Sequence, residues 1–319
     1  MYYIKLQRAF TLLELIFVIV ILGIVASVGS SIIAQVFGGY ITQRAVHDAS
    51  LKTELAINQL SNRLSYRIND SLLARDPDST GNVPGTDFFS ARNVPLDKRS
   101  TYSALEWIGY DSDSFEAFQQ PRWSGFTSLD SPYTNYYRII SAGSNHMFMK
   151  NMATHYTGTT NGTGGALRFM NSQYDDNASH VYSSNCMYAG SLRGCMFRVN
   201  VGSNKVLGFT SAYGNGGDRT INRMIYSEFY QYSISAFAVV PENRSSINGV
   251  DVFDLNFYYA YQPWKNENYR NAKHATLIKN VSVFRFRKEE NSIRLKICVI
   301  EQISKTDQIS ICKEKAVIR

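Results

Sequence analysis

The stretch FTLLELIFVIVILGIVASV, residues 10–28, decides the architecture of this chain. Among its apolar residues stand only Thr11, Glu14, Gly23 and Ser27. Wound as an α-helix, the stretch is about long enough to cross a hydrocarbon layer of roughly 30 Å. A carboxylate costs about 2.5 to 3.5 kcal/mol at the middle of such a layer. We therefore predict that Glu14 is functional and pairs with a positive charge.

Two ordinary explanations compete for this segment: a secretory signal peptide and a plain membrane anchor. A signal peptide has a basic start, a short apolar core and a small-residue cleavage site after that core. Here the basic Lys5 and Arg8 and the small Ala9 all come before the apolar run. This order argues against a conventional signal peptide.

A more specific pattern spans the junction. Ala9 followed by FTLLE at residues 10–14, with Gly23-Ile24 further along, resembles the precursors of type IV pilins and type II secretion pseudopilins. Most members of that family have glycine where this chain has Ala9. The resemblance covers about the first tenth of the chain and implies a long N-terminal helix carrying a globular head.

The resemblance also implies processing and assembly. A prepilin peptidase would remove residues 1–9 as a leader, cut between Ala9 and Phe10, and N-methylate Phe10. Glu14 would then neutralise the free amine of Phe10 on a neighbouring subunit. The physics agrees, because opposite charges attract strongly at low dielectric and either one alone is costly to bury.

Charge placement predicts the orientation. Lys5 and Arg8 precede the apolar run, so the N-terminus should stay cytoplasmic while the rest crosses. The implied location is the inner membrane, as a single span with its head in the periplasm. The implied partners are other pilins or pseudopilins, the prepilin peptidase and an inner-membrane assembly platform.

The chain has a net charge of +7, which becomes +5 without residues 1–9. A basic excess attracts nucleic acid or anionic membrane, although a solvated basic surface is the simpler interpretation. Arg285, Arg287 and Lys288 form the densest basic cluster, next to Phe284 and Phe286. Nucleic acid is therefore kept as a candidate partner.

Helical spacing continues beyond the membrane segment, and no proline occurs from residue 10 to residue 75. We predict a transmembrane and assembly helix over 10–36 and an amphipathic continuation over 37–75, with a bend or melted turn at Gly38-Gly39. The residues expected on its packed face recur every three or four positions: Val46, Ala49, Thr53, Ile57, Leu60, Leu64, Ile68 and Leu72.

The composition of residues 76–319 indicates a β-rich head, so the expected fold class is α+β. Short strands are expected at 136–140, 166–170, 234–240 and 252–259, between stretches rich in turn residues. About 240 residues suffice to bury a core. Two arrangements remain open, namely one elaborated β-domain or a pilin-like sheet with a large insertion between about 77 and 270.

The C-terminal part, residues 274–319, predicts a β-sheet segment. Strands are expected at 277–287 and 293–300 around a turn at 288–292, because apolar and basic residues alternate in the second of them. With a short closing segment, this pair resembles the C-terminal sheet of J-type minor pseudopilins.

Four cysteines stand at positions 186, 195, 298 and 312. An even number in an oxidising compartment indicates disulfides, and four cysteines allow three pairings. We favour Cys186–Cys195 and Cys298–Cys312, because each closes a short loop. The second pair resembles the C-terminal disulfide-bounded loop of many type IV pilins. A metal site is disfavoured, because neither a C-x-x-C motif nor a histidine at zinc-like spacing is present.

The segment after the predicted helix resembles the start of a calcium-binding loop. Its candidate ligands are Asp76, Asp78, Thr80 and Asp87. A polar turn explains the same residues, because Asp, Pro, Ser and Gly are favoured in turns anyway. No cofactor is therefore expected, with calcium as the one candidate.

Asn177 begins an N-x-S glycosylation pattern and has an acidic residue two positions earlier. Some bacterial glycosylation systems require that acid. A solvated loop is the simpler interpretation of this segment.

The common catalytic and nucleotide-binding motifs are missing from the sequence. We expect a non-enzymatic minor pilin or pseudopilin that forms the tip of a type II secretion pseudopilus or a type IV pilus. A DNA-uptake pilin and a membrane-anchored surface adhesin are the alternatives. The adhesin alternative requires neither cleavage after Ala9 nor Glu14.

Overall fold

The computed structural model describes residues 11–68, 71–81, 85–115, 121–130, 132, 134, 138–157, 165–170, 196–203, 205–209, 227–265 and 267–318. It confirms the α+β class, with a long N-terminal helix and a mainly β head. The helices of the described residues are α1 (Leu12–Ser65), α2 (Ser112–Phe115) and α3 (His146–Thr157). Their strands are β1 (Leu73–Arg75), β2 (Phe88–Ser90), β3 (Ala104–Gly109), β4 (Arg138–Ile140), β5 (Ala166–Phe169), β6 (Phe197–Ser203), β7 (Val206–Phe209), β8 (Tyr230–Ser233), β9 (Ser235–Ile247), β10 (Val250–Tyr261), β11 (Lys273–Glu289), β12 (Ser292–Gln302) and β13 (Gln308–Ile318).

The strands form two antiparallel sheets. The larger has eight strands in the order β13-β12-β11-β10-β9-β3-β1-β2, and the smaller has five in the order β4-β7-β6-β5-β8. Since β3 pairs directly with β9, the chain between them, residues 110–234, is an insertion that contains the whole smaller sheet. Of the two arrangements left open by the sequence, the structure has the sheet with an insertion, over narrower bounds than 77–270.

The amphipathic half of α1 packs on the larger sheet, against β11, β12 and β13. Its buried side chains recur every three or four positions, as a helix face requires. They are Ala49, Thr53, Ala56, Ile57, Leu60, Ser61 and Leu64. Val46, which was expected on this face, is 38% exposed. The helix is also continuous through Gly38-Gly39, so the predicted melted turn is wrong.

The predicted helix extends ten residues too far. It ends at Ser65 rather than at residue 75. The backbone leaves the helix because it finds a partner in the sheet: the Ile68 amide donates to the Ile108 carbonyl at 2.8 Å. Ile68 and Leu72 remain buried, but they lie in the connection to β1 and not on the helix.

A buried arginine fixes the end of α1 to the sheet. Arg67 is fully buried, and its Nη1 donates to the Leu64 carbonyl at 2.8 Å. Its Nη2 donates to the Asn291 carbonyl, in the turn between β11 and β12, at 2.7 Å. A cation at this position also complements the negative end of the helix dipole.

A second buried arginine joins β1 to β3. Arg75 Nε donates to Glu106 Oε2 at 2.9 Å, and both side chains are fully buried. Tyr261 donates from its hydroxyl to the other Glu106 oxygen at 2.8 Å. The Arg75 guanidinium also lies 5.2 Å from the centre of the Phe88 ring. The pair is therefore satisfied by hydrogen bonds on both sides, as buried charges must be.

The predicted C-terminal disulfide is confirmed. Cys298 and Cys312 are directly opposite in the pairing of β12 with β13, and they form an S–S bond. The bond joins the outermost strand of the larger sheet to its neighbour. The predicted strands 277–287 and 293–300 correspond to β11 and β12, and the closing segment is β13.

We expect the double substitution Cys298→Ala, Cys312→Ala to lower the free energy of unfolding by about 3 kcal/mol. The bond closes a loop with a sequence separation of 14 residues, and a loop of that size restricts the unfolded chain by about this amount. Urea unfolding of the detergent-solubilised chain, followed by tryptophan fluorescence, measures the change. The control is the variant Cys186→Ala, Cys195→Ala, in which reductant can break only the Cys298–Cys312 bond and should lower the stability by the same amount. Equal stability of the oxidised wild type and the Cys298→Ala, Cys312→Ala variant would contradict the estimate.

Candidate assembly site

The first half of α1 is apolar on all sides, and its apolar side chains are exposed rather than packed against the other residues that the structure describes. From Leu12 to Ile41, nineteen large apolar side chains are exposed. This helix is long and apolar enough to cross a membrane. Exposed apolar surface of this extent marks a site for lipid or for other protein surfaces. The structure therefore leaves this half of the helix available for both.

Glu14 lies in the first turn of this helix, and its side chain is exposed. Thr11 is the N-cap residue, and its hydroxyl oxygen accepts a hydrogen bond from the Glu14 amide at 3.4 Å. Threonine followed three positions later by glutamate is the spacing of a capping box. We did not predict this cap from the sequence, although the Thr-x-x-Glu spacing is a usable signal for it.

The start of the helix favours negative charge and disfavours positive charge. Its unpaired amides and its dipole place about half a positive charge there, so the Glu14 carboxylate is stabilising in this turn. A free amine created on Phe10 would stand just before the Thr11 cap, where a cation is unfavourable. Such an amine in an apolar environment needs a carboxylate, and Glu14 is the acidic residue of this turn.

A family model for the prokaryotic N-terminal methylation motif matches residues 4–30. The chain therefore carries the type IV pilin and pseudopilin signal. The pilin signal covers the Ala9–Phe10 junction, Glu14 and most of the apolar half of α1. It implies processing by a prepilin peptidase and assembly with other pilins. Searches of curated proteins and of solved structures gave no match.

The structure tests only some of the predicted sites. Glu14 is placed at the start of α1, and Cys298 and Cys312 are bonded. The remaining pair of cysteines, the cleavage junction and the glycosylation site lie outside the described residues. These positions are Ala9, Phe10, Asn177, Cys186 and Cys195.

The predicted calcium ligands lie in a turn that is already filled by two guanidinium groups. Arg270 Nη2 donates to the Pro77 carbonyl at 2.6 Å, and Arg75 Nη1 donates to the Gly81 carbonyl at 2.8 Å. Among the described residues, no group of three or more His, Cys, Asp or Glu side chains is arranged to hold a metal ion. The structure thus does not gather Asp76, Asp78, Thr80 and Asp87 into a calcium ligand set.

Proposed function

We propose that this chain is a minor structural subunit at the tip of a filament of the type IV class, without enzymatic activity. The filament is a type II secretion pseudopilus or a type IV pilus. The observation that carries the proposal is the combination of a pilin signal with an exposed apolar helix. The signal is the segment that a prepilin peptidase would process, and the helix provides the surface that packs against other subunits.

The insertion over residues 110–234 supports the tip position. It adds a five-stranded sheet to a head that already contains an eight-stranded sheet. A subunit within a filament must fit its head between neighbours above and below, whereas the subunit at the tip has neighbours on one side only. A bulky head is therefore accommodated most easily at the tip.

The proposed location is the inner membrane, with the head in the periplasm. Lys5 and Arg8 before the apolar run favour a cytoplasmic N-terminus. Residues 37–65 of α1 then extend about 43 Å beyond the membrane segment, at about 1.5 Å per residue. An inner-membrane platform would feed the subunit into the filament, with Glu14 placing its first turn against the amine of a neighbour.

The C-terminal sheet favours secretion among the alternatives. Strands β11, β12 and β13 form an antiparallel unit at one edge of the larger sheet, closed by a disulfide. This is the feature that resembles J-type minor pseudopilins. A pseudopilus would then push folded cargo through an outer-membrane pore.

Two experiments test these proposals. Gold-labelled antibody against the head, applied to sheared filaments, should mark one end of each filament. Label along the whole length would contradict the tip position. Deletion of the gene should abolish secretion of folded enzymes while leaving surface pili in place. Loss of pili with normal secretion would assign the subunit to a type IV pilus instead.

A further inference from the structure

A cleft lined by basic residues lies between the segment that follows β2 and the hairpin formed by β11 and β12. Its volume is about 1210 Å³. Seven basic and three acidic side chains line it, which gives the cleft a net charge of +4. Six of the basic residues are Arg92, Arg99, Arg285, Arg287, Arg294 and Lys296.

The strand register places four of these cations on one face of the hairpin. Arg285 is directly opposite Lys296, and Arg287 is directly opposite Arg294. Residues two apart on a strand share a face, so all four side chains project to the same side. Like charges directly opposite each other destabilise a sheet. A bound polyanion would remove this repulsion.

Acidic residues offset only part of this charge, and one of them, Glu314 of β13, is directly opposite Lys296. Glu289 lies 3.3 Å from Arg287 and 3.5 Å from Arg294, so one carboxylate serves two guanidinium groups. The side chains of Arg287 and Arg294 remain 65% and 59% exposed. On the other wall, the Arg99 carbonyl accepts a long hydrogen bond from Arg285 Nη1 at 3.5 Å.

The location of the cleft separates it from the membrane that α1 would span. Asn291 and Ile318 line it, and Asn291 is the residue that Arg67 binds at the end of α1. The cleft therefore lies at the membrane-distal end of the helix, about 43 Å from the membrane segment. Ligands that reach it come from the solvent in front of the head.

We propose that this cleft binds nucleic acid through its phosphodiester backbone. Arginine is suited to this role, because its planar fork of N–H donors matches two phosphate oxygens at once, and five of the seven cations are arginine. Two of the three aromatic side chains that line the cleft, Tyr102 and Phe284, are buried. Their ring faces are not offered for stacking with bases, so contact is made with the backbone and is independent of base sequence.

The cleft is assembled from distant parts of the chain. Arg285, Arg287 and Lys288 stood out in the sequence, whereas Arg92 and Arg99 are nearly two hundred positions away from them. The inference does not depend on filament assembly, because binding is measured on the unassembled subunit. Failure of binding would leave the proposed tip position untouched.

The test is fluorescence anisotropy with a labelled single-stranded oligonucleotide and the detergent-solubilised full chain. The cleft variant carries Arg285→Gln, Arg287→Gln and Lys296→Gln. The control variant removes three exposed charges outside the cleft, with Arg244→Gln, Lys279→Gln and Lys305→Gln. Both variants lose the same net charge, so a difference between them reports the location and not the total.

We expect the cleft variant to bind about tenfold more weakly or worse at low salt. Its slope of log affinity against log salt should fall by about 2, at about 0.7 for each lost phosphate contact. The control variant should retain the wild-type slope. Circular dichroism and thermal unfolding of both variants should match the wild type, because all six side chains are exposed and surface ion pairs contribute little to stability.

Three results would overturn the proposal. The first is an absence of binding by wild-type protein at low salt. The second is an equal loss in the two variants, which would reduce the interaction to overall charge. The third is competition by polyglutamate as effective as that by an oligonucleotide of equal charge. That result would assign the cleft to an acidic protein segment instead of a phosphodiester chain.

Discussion

We expect the replacement of Glu14 with alanine to abolish incorporation of the subunit into filaments and to leave the head folded. Glu14 lies at the exposed start of α1, on the far side of the apolar segment from the head, so its loss removes no contact of the core. An amine left unpaired in an apolar contact between subunits costs about 3–5 kcal/mol. That penalty corresponds to about a hundredfold or greater loss of assembly per contact. Quantification of the subunit in sheared filaments measures it.

Glutamine at the same position separates the two roles that Glu14 can play. Glutamine also suits this position of a capping box but carries no charge. We expect Glu14→Gln to fail in assembly as Glu14→Ala does. Thr11→Ala is the matched control: it removes the cap, costs about 1 kcal/mol of helix stability, and should still assemble. Normal assembly of Glu14→Gln would show that the side chain serves only as a cap.

Replacing Arg75 with methionine should lower the free energy of unfolding by about 3–5 kcal/mol. The substitution keeps an apolar stem but leaves the Glu106 carboxylate fully buried without its guanidinium. The hydroxyl of Tyr261 remains as a donor to Glu106, and it carries no compensating charge. Urea unfolding of the detergent-solubilised chain measures the change.

The control for this prediction removes both charges together. In the double variant Arg75→Met, Glu106→Gln neither charge of this pair is left, so we expect it to recover much of the stability lost in the single variant. An exposed pair offers a second control: Arg44→Met, which breaks only the surface contact with Asp48, should change stability by less than about 1 kcal/mol. Similar effects of Arg75→Met and Arg44→Met would contradict the assigned role of the buried pair.

Local sequence patterns were sufficient to predict those parts of the fold that depend on residues close together in the chain. The apolar run fixes the first half of α1, and alternation in residues 293–300 identifies β12. The bond between Cys298 and Cys312 closes a short loop and was predicted for that reason. Each of these features is encoded within about twenty residues, so the sequence carries its signal directly.

Features that depend on distant partners were not predicted. The helix ends at Ser65 because Ile68 pairs with Ile108, forty positions away. The residues of this segment give no sign of that contact. The buried positions of Arg67 and Arg75 are likewise invisible in the sequence, where both appear as ordinary surface charges. The basic cleft was recognised only in part for the same reason.

We infer that the chain is cut between Ala9 and Phe10 and then docks through Glu14. The most direct measurement is the mass of the N-terminal peptide of protein extracted from the membrane. We expect a peptide that begins at Phe10 and carries one additional methyl group. A peptide that still begins at Met1, from cells with an active prepilin peptidase, would contradict it.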